Sequence, residues 1–155
     1  MSAGIQLDSS AAMMAAGGRL AQAICAGGID SLVIYLSGDL GAGKTTFVRG
    51  FLQGLGHTGR VPSPTYTLIE PYDVAGYAIS HIDLYRLQSP GEAETLALAE
   101  LYGSGMLMLI EWPENGGSGV PAADLRVELD IDGPGRVMHL VGLSAAGKAL
   151  ALQNN

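Results

Sequence analysis

An α/β fold arranged around a mixed central sheet is the reading this sequence supports, and three observations carry it. Two apolar runs of strand length, at 32–36 and 106–110, have the continuous hydrophobicity of strands buried on both faces. Segments within 65–83 and 124–143 instead alternate apolar and polar residues around turn signals, and such hairpins need antiparallel pairing. Stretches with apolar residues at helical spacing lie between the strands. At 155 residues, of which 48% are hydrophobic, the chain is expected to form a single domain over 1–155 with a real core.

The elements follow in order. From about Ser9 to Ala26 an Ala-rich segment places Met13, Met14, Leu20 and Ile24 at helical spacing, with Asp8, Ser9 and Ser10 available as caps. The strand LVIYL ends at Ser37-Gly38. After a Gly-rich turn, Phe47, Val48, Phe51, Leu52 and Leu55 form one face of a helix closed by Gly56. Residues 57–64 are a loop. TYTLIEPY and GYAISHID alternate like strands, joined by a turn at Asp73 to Gly76. Residues 90–102 predict one helix, with Pro and early carboxylates at its start and Leu96, Ala99 and Leu101 inside. GMLMLIEW is a second buried strand, 113–121 a loop, and DLRVELDID with GRVMHLVGL a hairpin around Gly133-Pro134. The tail from Ser144 predicts a short helix. No repeat or linker interrupts the chain.

Composition excludes several functions. Fifteen acidic against eight basic residues give a net charge of −7, against broad nucleic-acid binding and docking on an anionic membrane. The single cysteine, Cys25, excludes an intrachain disulfide and a Cys-rich zinc site, and its apolar surroundings predict a small buried residue. No signal peptide or membrane-length apolar run is visible, so a cytoplasmic location is expected. His57, His81 and His139 form no metal-spaced set, and His57 and His139 read as surface or edge residues.

One motif carries the chemistry. Gly38-Asp39-Leu40-Gly41-Ala42-Gly43-Lys44-Thr45 fits G-x-x-x-x-G-K-[ST], the phosphate-binding P-loop. Its glycines let backbone N–H groups approach phosphate oxygens, and the following helix presents its positive end to the same anion. The Lys44 ammonium reaches the β- and γ-phosphates, and the Thr45 hydroxyl is a hard ligand suited to Mg²⁺. Lysine is scarce, with two in the whole chain, so the match is specific, and a strand precedes it while a helix follows. The fold expectation sharpens to a P-loop NTPase-like three-layer arrangement.

Such a site needs a further carboxylate near the metal. Glu111 ends a buried strand, where open α/β sheets bind ligands, and is preferred; Asp83, ending a more alternating strand, is the other candidate. Ser63-Pro64-Thr65 is either an ordinary Pro-bounded turn or a hydroxyl loop able to sense a γ-phosphate. Arg86 either steadies phosphate charge or forms a surface ion pair. Trp112, the only tryptophan, is either core filler or an aromatic wall beside the nucleotide.

GDLGAGKTTF, VPSPTYTL, HIDLYRL and LIEWPENG, in this order and at these distances, resemble the bacterial TsaE family, also called YjeE, over about residues 5–140. The resemblance implies an ATPase of the pathway that installs N6-threonylcarbamoyl on the adenosine beside the anticodon of certain tRNAs. Its partners would be the TsaB–TsaD transferase pair, supplied with threonylcarbamoyl-adenylate by TsaC. ATP hydrolysis would reset that complex between turnovers, and tRNA would be met only through the partners. The cofactors implied are ATP and Mg²⁺. Carried over by position, Gly41, Ala42, Gly43, Lys44, Thr45 and Thr46 would bind phosphates, and Thr45 with Glu111 would hold Mg²⁺. Thr65 would belong to a switch-like loop, Asp83 would orient water or link to the metal, and Trp112 matches the family's tryptophan. Ser10 is the nearest match to a nucleotide contact at the start of the first helix, and Arg136 would lie near the nucleotide. Lys44, Asp83 and Glu111 would be the catalytic set. Pro62 departs from the family pattern and stiffens its loop.

Two other functional classes compete. A small-molecule kinase would need an acceptor pocket and an Arg-bearing lid, yet Arg60 is the only basic residue in 57–64, and 113–121 has none. An assembly factor would bind ATP without releasing phosphate.

Overall fold

The computed structural model describes residues 4–154. Its elements are β1 (Ile5–Leu7), α1 (Ser10–Ala26), β2 (Leu32–Ser37), α2 (Lys44–Gly54), β3 (Ile69–Val74) and β4 (Tyr77–Asp83). They continue with α3 (Pro90–Thr95), α4 (Leu98–Leu101), β5 (Met106–Glu111), a 3-10 segment (Pro113–Gly119), β6 (Leu125–Asp132), β7 (Gly135–Gly142) and α5 (Ala145–Asn154). The strands make one seven-stranded sheet in the order β1-β7-β6-β2-β5-β4-β3. Strands β6, β2, β5 and β4 run parallel, and the two edges are antiparallel, so the sheet is mixed as expected.

Alternation along the central strands divides the core between two faces. Ile34, Leu36, Leu107 and Leu109 point to one side, against Leu20 and Ile24 of α1 and Phe47, Val48, Phe51 and Leu52 of α2. Val33, Met108 and Ile110 point to the other, against Leu84, Ala93 of α3, Leu98 of α4 and Val120. Helices on both faces give the three-layer arrangement. The Ser9 side chain caps α1 by accepting from the Ala12 N–H at 3.0 Å. Gly56, at φ 103°, closes α2 in the left-handed conformation. Helices α1 and α2 approach through glycine: a Cβ on Gly50 would overlap the Met14 carbonyl, and one on Gly54 would lie 2.7 Å from Gly18 Cα.

Several expectations are corrected. Strand β1, which pairs with β7, is too short to show any periodicity in sequence. The strand expected from Thr65 begins only at Ile69. Residues before it turn, with the Leu68 N–H donating to the Pro64 carbonyl at 2.7 Å. The helix expected over 90–102 breaks at Ala97, which has φ 52°. Ala93 and Leu98 are both buried in the second core, yet five residues in one helix would separate them by about 140°. The break brings both inward and leaves Ala99 exposed. The expected loop 113–121 contains the 3-10 segment. Cys25 is exposed, because Leu20, Ala21 and Ile24 occupy the inward stripe of α1. The tail forms the short helix expected, ten residues long, and buries Leu150 and Ala151.

Candidate functional site

The site lies at the carboxyl ends of the parallel strands β2, β5 and β4, where an α/β sheet leaves its ligand crevice. Strand β2 runs directly into the glycine turn, and α2 begins at Lys44 with the left-handed Gly43, φ 106°, as its N-cap. That turn needs little side-chain bulk. A Cβ on Gly43 would sit 2.7 Å from Met13 Cε, and one on Gly38 would lie 3.0 Å from Ala42 Cβ. Gly41 to Thr46, spanning the end of the turn and the start of α2, line a cleft of about 610 Å³.

Register supplies the acidic residues. Asp83 is paired with Glu111 across the parallel β4–β5 ladder. By alternation with Ile79, Leu107 and Leu109, both side chains emerge on the face that carries α2. The Thr45 hydroxyl donates to Glu111 Oε2 at 3.3 Å. Asp83 is held differently: its Oδ1 accepts from the Tyr85 N–H at 2.9 Å and its Oδ2 from the Thr65 hydroxyl at 3.1 Å. Thr65 Oγ1 also lies 2.7 Å from Ser63 Oγ. The backbone reinforces the loop's docking, since the Asp83 N–H donates to the Leu68 carbonyl at 2.9 Å.

Buried charge concentrates here. Lys44, Asp83 and Glu111 are 6%, 4% and 3% exposed, a costly arrangement unless the charges find partners. The Lys44 ammonium donates to the Gly38 carbonyl and lies 3.8 Å from the centroid of the Trp112 ring. Burial lowers the Lys44 pKa, and Glu111 and Asp83 oppose that shift. Burial likewise raises the Asp83 carboxyl above its ordinary value; the Tyr85 N–H opposes the rise and the Glu111 charge adds to it.

The predicted residues divide between two clefts that share the P-loop. Lys44, Thr45, Thr65, Asp83, Glu111 and Trp112 line the large one. Ser10 and Arg136 line a second, of about 160 Å³, on the other side of the loop. Gly41, Ala42, Gly43 and Thr46 border both. Arg136 ties the loop to β7, its guanidinium donating to the Gly41 carbonyl at 2.9 Å and to the Gly135 carbonyl at 2.7 Å. Trp112 is a wall of the large cleft, tilted against Tyr85 at 5.0 Å between ring centroids. Its φ of 57° is unusual for a bulky residue and turns the chain immediately after Glu111. Arg86 lies over the exposed Tyr66 ring at 4.3 Å, at the mouth.

Sequence reasoning missed His81. It is fully buried, and its Nε2 lies 2.6 Å from Glu111 Oε2. Its signal was available in HIDLYR: residues 81 and 83 are two apart on a strand and share a face.

The donor set suits a hard cation. Thr45 and Glu111 offer oxygen ligands where the glycine turn passes into α2, a donor set like those by which Mg²⁺ takes one or two protein oxygens together with phosphate. Among the described residues, no three His, Cys, Asp or Glu side chains form a cage for a metal by themselves.

Comparison with known proteins agrees with this architecture. The family described as threonylcarbamoyl adenosine biosynthesis protein TsaE matches residues 7–139. The tRNA threonylcarbamoyladenosine biosynthesis protein TsaE of Haemophilus influenzae is 47% identical over 118 residues, 76% of this chain and 75% of that protein. The protein of the same name from Borreliella burgdorferi is 39% identical over 112 residues, 71% of this chain and 81% of its own length. With the Bacillus subtilis protein of that name the match covers 80 residues at 46% identity, 52% of this chain and 49% of that protein. The crystal structure of Bacillus subtilis YdiB superposes with a TM-score of 0.73 at 25% identity, covering 99% of this chain and 97% of the other. With the family matched across most of the chain and the P-loop and its carboxylates at one crevice, this chain belongs to the TsaE family.

Proposed function

We propose that this chain is a Mg²⁺-dependent P-loop ATPase acting in tRNA threonylcarbamoyladenosine biosynthesis. It would support a TsaB–TsaD transferase, with hydrolysis resetting that complex between turnovers. The observation that carries the reading is the convergence of Lys44, Thr45, Asp83 and Glu111 on one cleft beside the glycine turn.

Residues 41–46 bind the phosphates, with the Lys44 ammonium exchanging the Gly38 carbonyl for phosphate oxygen. Ser10 and Arg136, behind the loop, bind the nucleoside end, and Trp112 walls the phosphate side. Thr45 and Glu111 hold Mg²⁺, which supplies neutralisation of phosphate charge when bound. Asp83 orients the attacking water: the water oxygen bonds to the γ-phosphorus, the bond to the leaving ADP oxygen breaks, and the water's proton passes toward the Asp83 carboxylate. Its raised pKa supports that role, since it brings the carboxyl closer to working pH. Thr65 couples the 57–68 loop to Asp83 and so to the state of the γ-phosphate.

Among the described residues Arg86 is the one arginine lining the large cleft, and it stacks on Tyr66, so isolated turnover should be slow. The acidic surface faces protein partners, and tRNA is reached through them. The location proposed is cytoplasmic; among the described residues no helix is long and apolar enough to cross a membrane.

Phosphate release from ATP and Mg²⁺, with and without TsaB–TsaD, tests this. Slow release alone and altered turnover with the partners are expected. Phosphate moved to a metabolite would favour a kinase, and ATP binding without release would favour an assembly factor. Indifference to TsaB–TsaD would remove the pathway assignment and leave the P-loop reading intact.

A further inference from the structure

His81 sits at the base of the site and takes part in none of the steps above. It lies on β4 opposite Leu109 and two residues before Asp83, so its ring emerges beneath the carboxylates. The residue is 0% exposed. Its Nε2 meets Glu111 Oε2 at 2.6 Å, the same oxygen that accepts from Thr45 at 3.3 Å. Its Nδ1 is buried and has no hydrogen-bond partner among the described residues.

This pattern is hard to explain by packing. An apolar side chain would fill the same space without burying an unpaired ring nitrogen, which costs stability. Histidine at this position directs the one hydrogen bond its ring makes at a single carboxylate oxygen. That carboxylate faces the P-loop threonine. Without such an anchor, the Glu111 side chain would have rotamers to explore, and a cation would have to order it on binding.

We propose that His81 is a positioning residue for Glu111: its Nε2 contact holds the carboxylate beside the Thr45 hydroxyl before the cation arrives, and so sets the Mg²⁺ affinity of the site. The proposal rests on the reading of Thr45 and Glu111 as the Mg²⁺ pair. It assigns His81 no contact with nucleotide.

The test is Mg²⁺ titration of the full chain with ADP, read by the fluorescence of Trp112, the single tryptophan. Thermal melting would confirm that each variant is folded. His81→Leu should weaken the Mg²⁺ dependence roughly tenfold, the scale of a lost partner behind a metal ligand. ADP binding in excess chelator should be unchanged. His81→Gln, whose amide nitrogen reaches about as far as Nε2, should restore most of the loss. In a Glu111→Gln background the Leu substitution should add nothing. Should His81→Leu fail to fold, His81→Asn, too short to reach Glu111, replaces it and should show the same weakening.

An equal loss of ADP binding with and without Mg²⁺, or a full effect in the Glu111→Gln background, would make His81 a structural residue and overturn the proposal. A wild-type chain that binds ADP with no Mg²⁺ dependence would instead remove the Thr45–Glu111 reading, and the proposal with it.

Discussion

The floor of the large cleft and its rim are built differently. Lys44, Asp83 and Glu111 form the floor, each at the end of a central strand or the start of α2, and each under a tenth exposed. Ser63, Thr65, Tyr66 and Arg86 form the rim on connecting segments, with Tyr66 81% exposed. Floor contacts join charged groups out of water, where they cannot be exchanged for solvent cheaply. Rim contacts are hydroxyl bonds and a stacked guanidinium that compete with water throughout. The floor is therefore suited to fixed binding geometry, and the rim to a segment that docks and releases. Asp83 joins the two, since it belongs to the floor by burial and accepts from rim residue Thr65.

The comparison predicts that substitutions lose force from floor to rim. Lys44→Ala should have the largest effect. Loss of a charge-assisted bond to phosphate, worth about 1.5–3 kcal/mol, corresponds to roughly 10- to 150-fold in nucleotide affinity, measurable by calorimetry. Its melting temperature should not fall, because burial already disfavours the ammonium. A substantial drop would show that Lys44 also holds the fold.

Asp83→Asn comes next. Hydrolysis should fall by about 100-fold, the lower range for a lost general base, while nucleotide affinity is kept. This substitution also gives a pH signature. Burial raises the folded carboxyl above its unfolded value, so the native state takes up a proton before the unfolded chain does. Within that window stability falls as pH rises, and the ionised Asp83 burdens the fold at neutral pH. The gain in melting temperature of Asp83→Asn over wild type should be greatest near pH 7. It should shrink on acidification and level off below the unfolded carboxyl pKa of about 3.9. A gain that grew on acidification would contradict the burial argument.

Thr65→Val should be mildest. It removes the Thr65 hydroxyl and with it the bonds to Asp83 and Ser63, each worth about 0.5–1.5 kcal/mol at a rim where water can take their place, so turnover should change by roughly 2- to 10-fold. Amide exchange should accelerate within 57–68 and not in β5. Equal acceleration in both would mean that rim and floor open together.

The legible parts of the molecule were those encoded within a few consecutive residues. The P-loop occupies eight positions, and its strand and helix neighbours show in uninterrupted local patterns. Elements were misjudged where long-range contacts overrode local preference. Thr65 to Leu68 alternate like a strand but turn, because Thr65 and Leu68 bond to Asp83. The 90–102 helix breaks so that Ala93 and Leu98 can both enter the second core. Glycines serve two ends that local sequence does not tell apart: Gly43 belongs to the turn before α2, whereas Gly50 and Gly54 let two helices touch.

The sequence by itself determined that a glycine-rich turn with the P-loop pattern joins a buried strand to a helix, and that carboxylates end two other strands. Those features depend on the identity and spacing of near neighbours. Tertiary structure alone decided which carboxylate meets Thr45, since Glu111 lies 66 residues away from it. It also decided that His81, 30 residues from Glu111, stands beneath that carboxylate. The reason is that strand order and register come from the packing of whole buried faces. Those faces set β4 beside β5 and β5 beside β2, and no local propensity encodes that adjacency.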